Sequence, residues 1–255
     1  MSELYEQDTY RNKNIDKLIS KVIIEYDLKS ANTSLCREYN LLPIEKIEEI
    51  ESMPKDKRVK TIGKIMRKDD KFKMKLKLAF IDIRRRFFEE NGLQSDDILC
   101  IKKDAIFCLR EVSVTDFGYC HFSDKNRYTS YLYLNRFEFY YNPRGILDVK
   151  GIDDKILKKH DEYMNNFFIL LFKHLETSSK RTLFGYIKRF VYKYKTRQLD
   201  VNYYREYDQE SLFRLADSDE VYDDAIFIPY DNREEYLDID YNFFNYILPI
   251  IKMVI

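Results

Sequence analysis

Asp27 and Asp104 are the two residues of this 255-residue chain whose settings best suit chemistry. Asp27 closes the run Val22-Ile23-Ile24-Glu25-Tyr26, a short β-branched stretch that predicts a buried strand. Ser30, Asn32, Thr33 and Ser34 follow, and they favour turns and helix caps. A carboxylate at a strand tip, before a turn that exposes backbone N–H groups, can hold a metal ion and an anionic substrate. The plainer reading makes Asp27 a cap for the next helix. Residues 98–109, ILCIKKDAIFCL, are apolar except for Lys102, Lys103 and Asp104. They predict a β-hairpin with Asp104 at its tip. Two carboxylates meeting at strand ends on one sheet edge could bind the paired divalent cations of phosphoryl transfer.

The elements that must position these two residues are long and regular. Six Gly and five Pro are few for this length, which argues against a turn-rich β-sandwich. A short helix is expected over 34–39, and another from Ile44, with Ile44, Ile47 and Ile50 on one side. Lys57, Lys60, Lys64, Arg67 or Lys68, and Lys71 fall at helical spacing on one face, opposite Val59, Ile62 and Met66. Residues 71–90 predict the best helix, with a stripe of Phe72, Leu76, Ala79, Phe80, Ile83 and Phe87 ended by Asn91-Gly92. From Glu111 to Asn142 the pattern is short strands, followed by a break at Asn142-Pro143-Arg144-Gly145. Two more helices are expected. One follows a cap at Asp153 or Asp154, with Ile156, His160, Phe167, Leu171 and His174 on its face. The other covers 180–195, with Leu183, Ile187, Phe190 and Tyr194 inward and Lys188 and Arg189 outward.

Charge is zero overall but unevenly spread. Residues 53–88 hold 14 Lys/Arg against 4 Asp/Glu, and 173–197 hold 8 against 1. Residues 206–240 hold 2 against 13. The basic segments point to a polyanion site, or to solvated helix faces balanced by the acidic segment. Cys36, Cys100, Cys108 and Cys120 show no metal-binding spacing and read as buried free thiols. His121, His160 and His174 are isolated from any nucleophile, and no glycine-rich phosphate loop is present. No apolar run approaches the ~18 residues of a membrane span. The polar first twenty residues do not resemble a secretory signal. A cytoplasmic protein is expected, in the host cytoplasm if the chain is viral.

The chain resembles the palm of family B DNA polymerases of viral and phage type. Their first palm motif reads D-x-x-S-L-Y-P-S-I. Asp27, Ser30 and Ser34 fall in register with it, Leu35 replaces Ile, and Ala31, Asn32 and Thr33 depart from it. Their hairpin motif is Asp-Thr-Asp-Ser-Ile; Lys102-Lys103-Asp104-Ala105-Ile106 keeps the second Asp and has Lys for the first. Of their fingers pattern K-x-x-x-N-S-x-Y-G, Lys57, Thr61 and Gly63 sit in loosely similar places. Lys150-Gly151 resembles the junction from palm to thumb, and the last two helices resemble a thumb. The resemblance spans roughly residues 20–205 by order of elements and is specific at few positions.

What the resemblance implies is an α+β fold: a small antiparallel palm sheet with packed helices, shortened fingers and a helical thumb. Residues 1–20 would precede it, 21–150 would form the palm with a fingers insertion at about 40–70, 151–205 the thumb, and 206–255 an acidic, Tyr-rich end. With too few residues before Asp27 for a proofreading exonuclease, the likeness begins at the palm. Asp27 and Asp104, with the backbone of Leu28, would bind Mg²⁺ or Mn²⁺. Lys29, Ser30, Asn32, Lys57, Lys60 and Lys64 would meet a nucleoside triphosphate, and Lys102, Lys103, Lys150, Gly151, Lys188 and Arg189 nucleic acid. In the family a Tyr stands at the Asn32 position and packs under the sugar. The activity expected is metal-dependent nucleotidyl transfer. The alternative is a palm remnant without chemistry that binds nucleic acid or a protein partner; Lys102 beside Asp104, able to pair with it and repel a cation, favours that reading. A divalent-metal nuclease would use the same carboxylates.

Overall fold

The computed structural model describes residues 3–134, 137–142, 144–151, 161–196, 198–199, 213–214 and 221–222. In chain order they form β1 (Thr9–Arg11), β2 (Lys17–Leu18), β3 (Ile23–Leu28), α1 (Ala31–Glu38), α2 (Ile44–Glu51), α3 (Lys55–Lys68) and α4 (Asp70–Glu90). Then come β4 (Ile98–Lys102), β5 (Ala105–Cys108), β6 (Asp116–Phe117), β7 (Cys120–Tyr128), β8 (Ser130–Leu134), β9 (Phe137–Asn142) and β10 (Ile146–Lys150). Last are α5 (Asp161–Thr177), α6 (Lys180–Lys195), β11 (Phe213–Arg214) and β12 (Val221–Tyr222). The architecture is α+β with antiparallel pairing. It divides into two compact units, Met1–Ile15 with Val22–Arg127, and Asp16–Lys21 with Tyr128–Ile255.

The first unit is built on a six-stranded sheet in the order β1-β4-β5-β3-β7-β6. The β4–β5 hairpin forms as its sequence predicts, with Lys102 opposite Ala105. β5 then pairs with β3, from Ile24 opposite Cys108 to Asp27 opposite Ala105. Because strand side chains alternate, Ile24, Tyr26 and Leu28 share one face. They join one buried core with Phe72, Leu76, Ala79, Ile83 and Phe87 of α4. Phe87 is its centre, with ring contacts to Tyr26, Phe117 and Phe122. Truncating such a ring to Ala costs about 3–5 kcal/mol.

α4 is the strut that fixes this core. The Asp69 carboxylate accepts the Phe72 N–H at 3.0 Å, satisfying a free donor of the first turn. At the other end Gly92 takes φ +58°, where a side chain would be strained. Leu93 N–H then reaches the Phe88 carbonyl at 2.9 Å and Gly92 N–H the Glu89 carbonyl at 3.1 Å, a Schellman closure.

Two local expectations need correction. α1 begins at Ala31, three residues before the expected start, because Ser30 turns left-handed (φ 47°) and its carbonyl accepts Thr33 N–H and Ser34 N–H. The basic helix stops at Lys68, because extended Asp69 ends it and caps α4; Lys71 therefore belongs to α4.

The second unit holds a four-stranded sheet in the order β10-β9-β8-β2. The sequence reading ran one palm sheet through residue 150, whereas β8, β9 and β10 form this separate sheet. Its aromatic alternation packs on α5: Phe139 stacks on Phe168 at 4.1 Å and Tyr141 on Phe172 at 5.0 Å. Phe167 of α5 meets Phe190 of α6 at 4.2 Å, so the two expected helices share one core. The expected cap at Asp153 or Asp154, Ile156 and His160 lie outside the described residues. So does most of the acidic segment, apart from the pairing of Phe213 with Tyr222 and of Arg214 with Val221. Among the described residues, no helix is long and apolar enough to cross a membrane.

Candidate functional site

Asp27 and Asp104 reach the same cleft by two different routes. Asp27 is the penultimate residue of β3. Asp104 lies in the two-residue turn of the β4–β5 hairpin. Leu28 N–H donates to the Asp104 carbonyl at 3.0 Å, so the turn is zipped onto the end of β3. On the other side Lys29 N–H donates to the His121 carbonyl at 2.9 Å, and Ser123 Oγ to the Asp27 carbonyl at 3.2 Å. The strand end is thus held from both flanks. The Leu28 and Lys29 N–H groups are both spent in these bonds.

The hairpin turn is fixed by an internal arginine. Arg84 of α4 is 1% exposed. Its Nη1 donates to the Lys103 carbonyl at 3.0 Å, its Nε to the Tyr5 carbonyl at 2.8 Å, and its Nη2 pairs with Asp8 at 3.1 Å. Lys103 N–H also donates to the Asp8 carbonyl at 2.7 Å. These bonds hold Lys103 in the left-handed region at φ 57°, an uncommon place for a side chain this long. Ser30 is the other left-handed residue beside the carboxylates, and such conformations persist only where the surroundings over-determine them.

The cleft has a volume of about 390 Å³, within the usual range of ligand pockets. Asp27, Leu28, Lys29, Ser30, Asn32 and Asp104 line it, joined by Lys55, Arg58, Val59 and Ile62 of α3. Six of the residues read from the sequence as metal- or nucleotide-binding are therefore brought together. Lys57, Lys60 and Lys64 are not: all three are exposed on α3 and none lines the cleft. The reason is the anchor of α3. Ile62 is its one buried residue, and the face that turns in with it is Lys55-Arg58-Val59-Ile62. A second cleft, also about 390 Å³, shares Asn32 and Asp104 with the first. It adds Lys73, Lys77 and Phe80 of α4, with Asp8, Arg84 and Lys103. Lys102 lines neither cleft. Lys150 ends β10 and Gly151 follows at φ +95°, while Lys188 and Arg189 are exposed on α6; all four belong to the second unit.

Electrostatics single out Asp104. Burial raises its carboxyl above the ordinary range; its own backbone N–H opposes the rise, Asp27 adds to it, and Lys125 and Lys103 partly offset it. Lys125 of β7 faces Asp27. Its Nζ lies 3.4 Å from Asp27 Oδ1 and 3.4 Å from Glu25 Oε1. Burial works against its charge, but Glu25 and Asp27 outweigh burial and hold it above the usual lysine range. Neither Lys125 nor Arg84 carries a motif in the sequence.

Asp27 and Asp104 suit a hard divalent cation. Both offer oxygen, both line one cleft, and Asp104 sits where a positive charge would relieve its burial. Among the described residues, no group of three or more His, Cys, Asp or Glu is arranged to hold a metal ion. Mg²⁺ commonly binds through one or two carboxylates plus substrate phosphates and water, so two Asp fit a site that substrate completes. The thiols are not candidates for chemistry. All four are free and buried, and burial pushes Cys36 and Cys120 up to about 12 and raises Cys108 as well.

Fold and site together define an α+β protein with paired carboxylates at the ends of adjacent strands, flanked by basic helices. The chain belongs to the family described as Bacteriophage PBS1 gene 130 protein, whose model matches residues 1–255. Among curated proteins, none matches the chain.

Proposed function

We propose that this protein is a metal-dependent nucleotidyltransferase with a minimal polymerase-like site in its first unit. One observation carries the reading: Asp27 of β3 and Asp104 in the turn before β5 line a single cleft with the cations Lys55 and Arg58. The second cleft supports it. It adds the cations Lys73 and Lys77 beside Asp104.

In this reading the triphosphate of a nucleotide lies along Lys55, Arg58 and Lys73, whose charges balance its own. Asp27 and Asp104 would hold Mg²⁺ or Mn²⁺, which supplies positive charge to the α-phosphate and to the leaving pyrophosphate. A hydroxyl oxygen of the acceptor bonds to the α-phosphorus, the bond to the bridging oxygen breaks, pyrophosphate leaves, and the hydroxyl proton passes to solvent. Arg84 and the Leu28–Asp104 bond keep the carboxylates in place through this exchange. Nucleic acid as acceptor and a cytoplasmic site of action belong to the same proposal.

The Lys125–Asp27 contact favours a second reading, a nucleotide- or nucleic-acid-binding protein without chemistry, because an ammonium already occupies one carboxylate. Incorporation of labelled nucleoside triphosphates with Mg²⁺ or Mn²⁺, with and without template and primer, separates the two. Transfer by the wild type, lost at least a hundredfold in Asp104→Ala, supports catalysis. Nucleotide binding without transfer under every condition supports the second reading.

A further inference from the structure

We propose that the Lys125 ammonium stands in for one divalent cation at Asp27, so that the cleft takes a single divalent ion with its substrate. The inference rests on the nucleotidyltransferase reading and deepens it.

Lys125 is anchored from behind. Its Nζ lies 3.4 Å from both Glu25 Oε1 and Asp27 Oδ1. Glu25 is 2% exposed, and its other oxygen accepts Asn126 Nδ2 at 2.7 Å. Moving the ammonium away would weaken the support of a buried carboxylate, which is strongly unfavourable. Lys125 therefore stays beside Asp27 rather than swinging out to admit a metal ion.

Two-metal sites place their ions roughly 3.5–4 Å apart between shared carboxylates. Here an ion at Asp27 Oδ1 would lie against the Lys125 ammonium. The ammonium offers charge but no open coordination position, and it leaves metal chemistry to the remaining ion.

The test is a count of Mn²⁺ ions in crystals of the full chain soaked with Mn²⁺ and a non-hydrolysable triphosphate analogue, read by anomalous scattering. The count is checked in solution by Mn²⁺ paramagnetic resonance. The wild type is expected to show one ion at Asp104, with Lys125 still on Asp27. Glu25→Gln/Lys125→Met, which removes the buried charge with its partner, is expected to show two; Lys125→Met alone is the simpler companion. Two ions in the wild type, or one in every variant, overturns this inference and leaves the nucleotidyltransferase reading standing. No ion at Asp27 or Asp104 in any form overturns both.

Discussion

Leu28 N–H donates to the Asp104 carbonyl at 3.0 Å, and this one bond ties the hairpin turn to the end of the strand that carries Asp27. Asp27 and Asp104, 77 positions apart, thereby become neighbours at the ends of adjacent strands. Their carboxylates share a cleft because the backbone is zipped, with no direct bond between the side chains required. The arrangement is only as firm as the turn, and the turn is held by Arg84.

Arg84→Met should therefore loosen the site before it unfolds the protein. It keeps the apolar stem of the side chain but leaves the Lys103 and Tyr5 carbonyls without their donor, at about 1–3 kcal/mol for the buried groups. Denaturant unfolding should show that loss. Amide exchange should show added mobility concentrated at residues 102–105. Exchange that rises evenly across the unit would mean that Arg84 acts on the whole core.

Asp104 should make the protein less stable at neutral pH than its neutral isostere. Its folded-state pKa is raised, chiefly by burial. The stability it contributes is thus complete below its unfolded value, about 3.9, and is lost as pH rises through the folded value. In EDTA, Asp104→Asn should melt above the wild type at pH 7. The gap should close below about pH 4. A gap that widens on acidification would reverse the sign of this account.

The two faces of α3 should behave differently. Lys55→Glu with Arg58→Glu should weaken triphosphate binding at least tenfold, and the residual binding should depend less steeply on salt. Lys57→Glu, Lys60→Glu and Lys64→Glu together should change it by no more than about threefold, the scale of screened surface charges. Calorimetric titration of the two triple- and double-substituted proteins compares them directly, and equal losses would assign the site to net charge instead of the cleft.

Asn32 lines both clefts and is smaller than the Tyr that the polymerase motif carries there. Its amide can bond a hydroxyl, and loss of the larger ring removes a clash. Ribonucleotides should be used at least comparably to deoxyribonucleotides, and Asn32→Tyr should shift preference towards deoxyribonucleotides about tenfold or more. Strict deoxyribonucleotide use by the wild type would refute the sugar argument alone.

β3, the hairpin and α4 were legible in the sequence because each is specified locally: a β-branched run, a polar break between apolar runs, and a stripe ended by Asn91-Gly92. The inward face of α3 was not. Its cations lie all round the helix, and a single buried residue, Ile62, decides which of them meet the cleft. Lys125 left no trace because its role depends on β7 lying beside β3, a pairing of strands nearly a hundred residues apart. The second sheet escaped for the same reason, since Lys17 pairs with Leu132 across more than a hundred residues and neither position shows it locally.

The central claim is that Asp27 and Asp104 form one cation-dependent nucleotide site. The most direct measurement is calorimetric titration of a non-hydrolysable nucleoside triphosphate analogue with Mn²⁺ and without it, on the wild type and on Asp104→Asn. The account predicts that Mn²⁺ tightens binding by the wild type at least tenfold and leaves Asp104→Asn unchanged. Equal affinity with and without Mn²⁺ in the wild type, or an equal gain in Asp104→Asn, would contradict it.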